Sequence, residues 1–377
     1  MSEYQYVAFR AIDNAVSEKN LAYMRRQSSR ADITPWSFEN EYHFGDFHGN
    51  AVEMLRRGYD IHLHYANFGV RTLLIRLPEG FPDVRAAEPY LVDESLRFVK
   101  DKKGRGGTLA IEPYYEPGDL DELWDLAEIL DRLVPLRSEI LDGDLRPLYL
   151  AHLAVARDGN HDPEETVEMP VPNGLREPTD AQRSLAEFYG ISEALMAAAA
   201  RESAPLPPVA EQRTRYAEWL AGQPEGTKNA WLAELLGEPG ASVRSKIRAK
   251  FEEVSPRPSW PTARPDRTVA QLEALATEIE QEREKEAVAK AARHRAGRLK
   301  KMAADPTPYL RQTERLVAER STDAYQQISE LLVELRDALA GSKQSGLAEK
   351  QALKLKTENP TLRLLTAALR RHGFLPK

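Results

Sequence analysis

The chain has 377 residues, 42% of them hydrophobic and 29% charged, with no cysteine and a net charge of −7. This is a globular composition with room for about two or three domains, and the missing cysteines exclude disulfides, thiolate metal sites, iron–sulfur clusters and cysteine nucleophiles. No run of about 18 apolar residues occurs and the start, MSEYQYVAFR, lacks the basic-then-apolar pattern of a secretory leader, so no membrane contact is expected and the chain reads as cytoplasmic.

Strand and helix signals alternate through the first 120 residues. Residues 4–11 (YQYVAFRA) are aromatic and β-favouring and predict a strand. Ser17 is placed to cap a short helix that turns Leu21 and Met24 inward. In residues 37–44 (SFENEYHF) Phe38, Tyr42 and Phe44 share one side, while Glu39, Glu41 and His43 share the other, as in a half-buried strand. Asn50 and Glu53 have capping-box spacing, and Gly58 closes the helix they open. Ile61, Leu63 and Tyr65 alternate with His62 and His64 in a further strand whose histidine side reads as polar. Residues 71–77 (RTLLIRL) read as a central strand, and DKKGRGG at 101–107 as a hairpin turn between two more.

From Asp119 the apolar period lengthens. Leu123, Leu126, Ile129, Leu130 and Leu133 mark a helix that Pro135 ends or kinks, and a second helix spans about 145–157. Residues 158–178 are polar and rich in proline and acid. Thr179 and Gln182 form another capping box, followed by helical stretches near 191–202, 213–221, 229–236 and 243–251. SPRPSWPTARP at 255–265 reads as a stiff, extended linker. Thr268 opens the longest helix, to about Ala304. Its apolar stripe (Val269, Leu272, Leu275, Ile279) fades through EQEREKE at 280–286, so its middle is expected in solvent. Pro306 and Pro308 break it. Tyr325, Ile328, Leu331, Leu332, Leu335 and Leu339 then mark an amphipathic helix that pairs with its neighbours as a bundle or small solenoid.

The fold class expected is α+β: an N-terminal mixed or antiparallel sheet with packed helices, then an all-helical middle and a C-terminal helical arm or bundle. The expected organisation is an α/β domain over 1–158, a linker or long loop over 159–178 and a helical region over 179–254. A proline-rich linker over 255–266 and a helical C-terminal domain over 267–377 follow.

Charge divides unevenly along the chain: −12 over residues 1–170, zero over 171–265 and +5 over 266–377. The sharpest feature is KAARHRAGRLKK at 290–301, which holds Lys290, Arg293, Arg295, Arg298, Lys300 and Lys301 without an acid. Several cations on one rigid helix can grip a phosphate backbone or an acidic protein. The same residues also suit a solvated helix whose C-terminal end is stabilised by positive charge, or i,i+4 pairing with the acids before them. His43, His48, His62 and His64, with Asp46, are ligand types for a zinc-like metal, but their spacing matches no metal signature, and neither a metal nor another cofactor is expected. The aromatics Trp36, Phe38, Tyr42, Phe44, Phe47, Tyr59, Tyr65 and Phe68 fall mainly on the phase of the core rather than on a base-stacking platform. No P-loop, dinucleotide fingerprint, nucleophile elbow or H-E-x-x-H motif is present.

The segments YQYVAFRAID, SSRADITPWSFENEYHFGDFHGN, YANFGVRTLLIRLP and RTVAQLEALATEIEQEREKEA resemble an uncharacterised family of bacterial proteins over most of the chain. That family has no established activity, so the resemblance transfers no catalytic residue. AYQQISELLVELRDALA and NPTLRLLTAALRRHGFL are similar to a helical tail attached to some bacterial SWIM-type zinc-finger proteins, although the finger's cysteines are absent. That similarity implies a helical docking module and a shared protein partner. The expectation is a non-catalytic interaction or scaffold protein that docks a partner in a bacterial complex acting on nucleic acid. The alternatives are direct nucleic-acid binding through the basic helix, or a metal-dependent enzyme built on the histidine cluster.

Overall fold

Period-two segments become strands here because each of their two faces finds a cover. The computed structural model describes residues 3–92, 94–158, 160–206, 209–237, 243, 246, 247, 250, 251, 253, 254 and 259–376. Seven strands form one sheet: β1 (Gln5–Arg10), β2 (Asp32–Ile33), β3 (Ser37–Tyr42), β4 (Ile61–Ala66), β5 (Val70–Leu77), β6 (Leu96–Lys100) and β7 (Gly107–Ile111). Their order is β2-β3-β1-β4-β5-β7-β6, and every neighbouring pair is antiparallel. At the β4–β5 turn, Gly69 has φ +106°, and a Cβ there would lie 2.2 Å from the Tyr115 carbonyl oxygen, so only glycine fits.

The register sets Phe9 opposite both Phe38 and His62. Val7, Phe9, Phe38, Leu74 and Ala110 therefore share a face, buried under Leu21 and Met24 of helix Glu18–Met24 and Met54 and Leu55 of helix Ala51–Arg56. Asn50 caps the second helix through a hydrogen bond from the Glu53 N–H at 2.9 Å. The opposite face carries Tyr6, Ala8, Leu63, Tyr65, Leu73, Ile75, Leu109 and Ile111. It packs against helices Leu126–Leu133, Pro135–Leu141, Arg146–Val155, Asp180–Phe188 and Glu193–Ala199. The sheet is thus buried on both sides, and the histidine side of β4 is not a polar surface.

Two local expectations change, and a third holds with an addition. Phe44 lies beyond the end of β3 and is 84% exposed, because the strand stops at Tyr42. The helix expected from Asp119 starts at Leu126, because the Leu123 N–H donates to the Tyr65 hydroxyl at 3.2 Å and Asp125, with φ +53°, is left-handed, which breaks the helical path. Pro135 ends helix Leu126–Leu133 as expected and also occupies the first turn of a new helix, where its missing N–H costs nothing.

Leu185, Phe188, Tyr189, Leu195 and Ala198 lie in the same buried cluster as the sheet. The described end of the proline-rich stretch is held along residues 171–173. Thr262–Ala263 pairs antiparallel with Val171–Pro172, and the Trp260 Nε1–H donates to the Asn173 carbonyl at 3.2 Å. Residues 244, 245, 248 and 249 of the helix expected over 243–251, and residues 255–258 of the linker, lie outside the described residues.

The chain divides into two compact units, one ending at Glu280 and one starting at Gln281. The second has its own core around helix Thr322–Leu339, whose Tyr325, Ile328, Leu332, Leu335 and Leu339 are buried. Helices Thr307–Ala318, Leu347–Glu358 and Arg363–Arg371 pack against it as a bundle. Buried Gln351 donates to Thr313 Oγ1 at 3.0 Å, and the Arg336 guanidinium lies 4.7 Å from the centre of the Phe374 ring. Charge follows the division. The first unit has 32 Lys and Arg against 47 Asp and Glu, a net of −15; the second has 20 against 12, a net of +8.

Candidate partner and nucleic-acid interface

Helix Val269–Ala304 starts with a reciprocal cap: the Gln271 N–H donates to Thr268 Oγ1 at 3.3 Å, and the Thr268 N–H to Gln271 Oε1 at 3.0 Å. Val269 and Leu272 are buried, and Leu275 and Ile279 half-buried, in the first unit. From residue 281 to residue 298 every position is exposed. Burial resumes at Leu299 and Met302, which belong to the core of the second unit. Nothing in the charged middle offers an apolar face, so its helicity rests on propensity and on continuity with two anchored ends.

All six basic residues singled out from the sequence, Lys290, Arg293, Arg295, Arg298, Lys300 and Lys301, are exposed on this helix, and they divide into two sets. Arg295 Nη2 pairs with Asp337 Oδ2 at 2.9 Å, and Arg298 Nη2 with Glu334 Oε2 at 2.8 Å. Both acids sit on helix Thr322–Leu339, three residues apart like the two arginines, so the pairs form a two-rung ladder. These are surface pairs, worth at most about 1 kcal/mol each. Lys290, Arg293, Lys300 and Lys301 make no ion pair among the described residues.

At about 100° per residue, the bundle-facing side of the helix is fixed by buried Met302 together with Arg295 and Arg298. Lys290, Arg293, Lys300 and Lys301 then fall within an arc of about 100° on the other side. Sequence spacing alone makes the charge seem to wrap the helix. The ladder neutralises one side and leaves a single-sided stripe. Gly297 lies in that stripe, with nothing within 4 Å of where a Cβ would stand.

The histidines are not brought together as a site. The His62 ring is buried and stacked on Phe9, centroids 4.0 Å apart, and its Nδ1–H donates to the Ala8 carbonyl at 3.0 Å. The His64 Nε2–H donates to Gln5 Oε1 at 3.0 Å, and Gln5 Nε2–H in turn donates to Asp46 at 2.7 Å. Burial pushes His62 down to about 3 and His64 down to about 4, Asp46 partly opposing the second shift. Both rings are neutral parts of the sheet's packing, while His43 and His48 are exposed. No three His, Cys, Asp or Glu side chains among the described residues are grouped to hold a metal ion. Of the aromatics, Phe38, Tyr59 and Tyr65 are buried as the strand phase implies, whereas Trp36 is 52% exposed and Phe68 37%.

One polar cluster has no sequence signature. Arg137, on an otherwise apolar helix turn, reaches Asp13 at 2.5 Å and Asp60 at 3.4 Å and donates from Nε to the Arg76 carbonyl at 2.8 Å. Asp60 also accepts from the Ile12 N–H at 2.6 Å. Burial raises the Asp60 carboxyl, with Arg137 and that backbone bond pulling the other way. Residues 13, 60, 76 and 137 are joined only by the tertiary fold. The single local sign was an arginine inside PLRSEIL, where the helix buries Leu136 and Ile140.

The chain matches no protein-family model, no curated protein and no solved structure.

Proposed function

We propose that this chain is a non-catalytic interaction protein that docks a partner through the stripe formed by Lys290, Arg293, Lys300 and Lys301. The observation that carries the reading is the split among the six cations: two are held by acids of the bundle, and four, on one side of an exposed, continuous helix, make no ion pair among the described residues. Unpaired cations on a rigid scaffold attract a polyanionic surface and lose little conformational entropy in meeting it. The +8 charge of the unit that carries the stripe adds a long-range field of the same sign.

A second reading, direct contact with nucleic acid, is favoured by the length of the stripe. Residues 290 to 301 span about 16 Å at 1.5 Å per residue, enough to follow several phosphates of one strand.

The test is capture of the tagged chain from its host at low salt, with and without nuclease. The docking reading predicts a stoichiometric companion that is lost from a K290A/R293A/K300A/K301A variant and retained by R295A/R298A. A nuclease-resistant acidic protein establishes the first reading, and nuclease-sensitive nucleic acid alone establishes the second. A companion that survives removal of the stripe contradicts both.

A further inference from the structure

A second surface points to a ligand of a different size. Between the loop after β1 (residues 13–17) and the end of helix Ala51–Arg56 lies an open cleft of about 360 Å³, within the range of small-molecule sites. It is lined by four arginines (Arg56, Arg57, Arg76, Arg137) against two aspartates (Asp13, Asp60). Three of these arginines also meet acids outside the lining, Arg56 and Arg76 at Asp101 and Arg57 at Glu53, so the charge of the cleft and its immediate partners is balanced.

The four arginines are not equivalent. Arg137 is committed to Asp13 and Asp60, and Arg76 to Asp101 at 2.5 Å and the Gly107 carbonyl at 2.6 Å. Both are at most 16% exposed and form the floor. Arg56 and Arg57, consecutive residues at the end of their helix, are 30% and 37% exposed. Arg56 reaches Asp101 through Nε at 3.2 Å, and its Nη1 has no partner among the described residues. Arg57 meets Glu53 through Nε at 2.8 Å and lies 4.2 Å from the centre of the Tyr23 ring, which holds the guanidinium plane in place. Neither Nη of Arg57 makes a hydrogen bond among the described residues.

We propose that the cleft binds a small phosphorylated ligand, whose phosphate is taken by the Arg56 and Arg57 guanidiniums. The guanidinium fork matches two phosphate oxygens, and Arg56 Nη1 and both Nη groups of Arg57 are the donors left for them among the described residues. The aspartates on the floor then accept from hydroxyl or amine groups on the rest of the ligand. This site is separate from the basic stripe and does not depend on it.

Calorimetric titration of the full chain with inorganic phosphate at constant ionic strength, with acetate as the comparison anion, tests the assignment. Saturable phosphate binding is expected, with acetate at least tenfold weaker. R56A/R57A should weaken phosphate binding at least tenfold, and R56K/R57K, which keeps the charge but loses the forks, several-fold. K290A/R293A/K300A/K301A should bind phosphate as the wild type does. Should the alanine pair fail to fold, judged by its melting transition, the lysine pair decides. Absence of saturable binding, equal affinity for acetate, unchanged affinity in R56K/R57K, or loss confined to the stripe variant would each overturn the assignment.

Discussion

His62 and His64 show how a single residue type is misread when burial is unknown. In sequence they alternate with Ile61, Leu63 and Tyr65 and so look like the wet side of a strand. In the structure that side is covered, His62 stacks on Phe9, and each ring spends a nitrogen on a neighbouring acceptor. Their depressed values carry a stability consequence. An unfolded histidine takes a proton near pH 6.5, but these two resist until about 3 and about 4. Protons therefore favour the unfolded chain throughout that interval, so stability is full above about pH 6.5 and falls as pH drops below it. The slope is at most about 1.4 kcal/mol per pH unit for each histidine. Melting temperatures between pH 7 and 5 should fall, and H62F, which retains a ring on Phe9, should flatten the decline; a flat profile in the wild type would refute it. Arg137 gives a second test at this scale. Replacing it by Met leaves Asp13 and Asp60 facing each other without their cation, at a cost of about 3–5 kcal/mol by denaturant unfolding. A loss below 1 kcal/mol would show that the cluster is not held by that charge.

Among the elements, strands and amphipathic helices were legible wherever period and caps agreed. The Asn50 and Thr179 caps, the Val269–Ala304 helix and the Thr322–Leu339 stripe all stand as their spacing implied. The start of helix Leu126–Leu133 was not legible, because the left-handed Asp125 and the bond of the Leu123 N–H to the Tyr65 hydroxyl are set by the tertiary fold. The stripe was half legible: the six cations were visible in the sequence, but their division needed Glu334 and Asp337 from another helix. The ladder predicts that R295A/R298A lowers the stability of the C-terminal unit by no more than about 1 kcal/mol per pair and leaves partner capture intact. The stripe also depends on helical continuity. Ala292→Pro removes no charge, yet it breaks the ladder of backbone bonds at a cost of about 3 kcal/mol and turns Lys290 out of line with Lys300 and Lys301. Capture should fall in this variant almost as far as in the quadruple alanine variant; full retention would show that charge, not its alignment, is what the partner reads.

For the whole molecule, the charge asymmetry visible in sequence corresponds to a physical division at residue 281, with −15 on one side and +8 on the other. Each unit has its own core, and among the described residues no core side chain is shared between the two clusters. Calorimetry should therefore resolve two transitions. Leu332→Ala, a cavity in the C-terminal core costing about 2–5 kcal/mol, should move only one of them. A single cooperative transition shifted as a whole would contradict independent units.

The central claim is that four of the six cations face a partner while two serve the bundle. Fluorescence anisotropy of a labelled DNA duplex, a generic polyanion, titrated with the chain from low to moderate salt tests it most directly. The account predicts that K290A/R293A/K300A/K301A flattens the slope of log affinity against log salt by about three to four units, and that R295A/R298A leaves it unchanged. An unchanged slope in the quadruple variant, or a loss confined to Arg295 and Arg298, would contradict the division on which the proposed function rests.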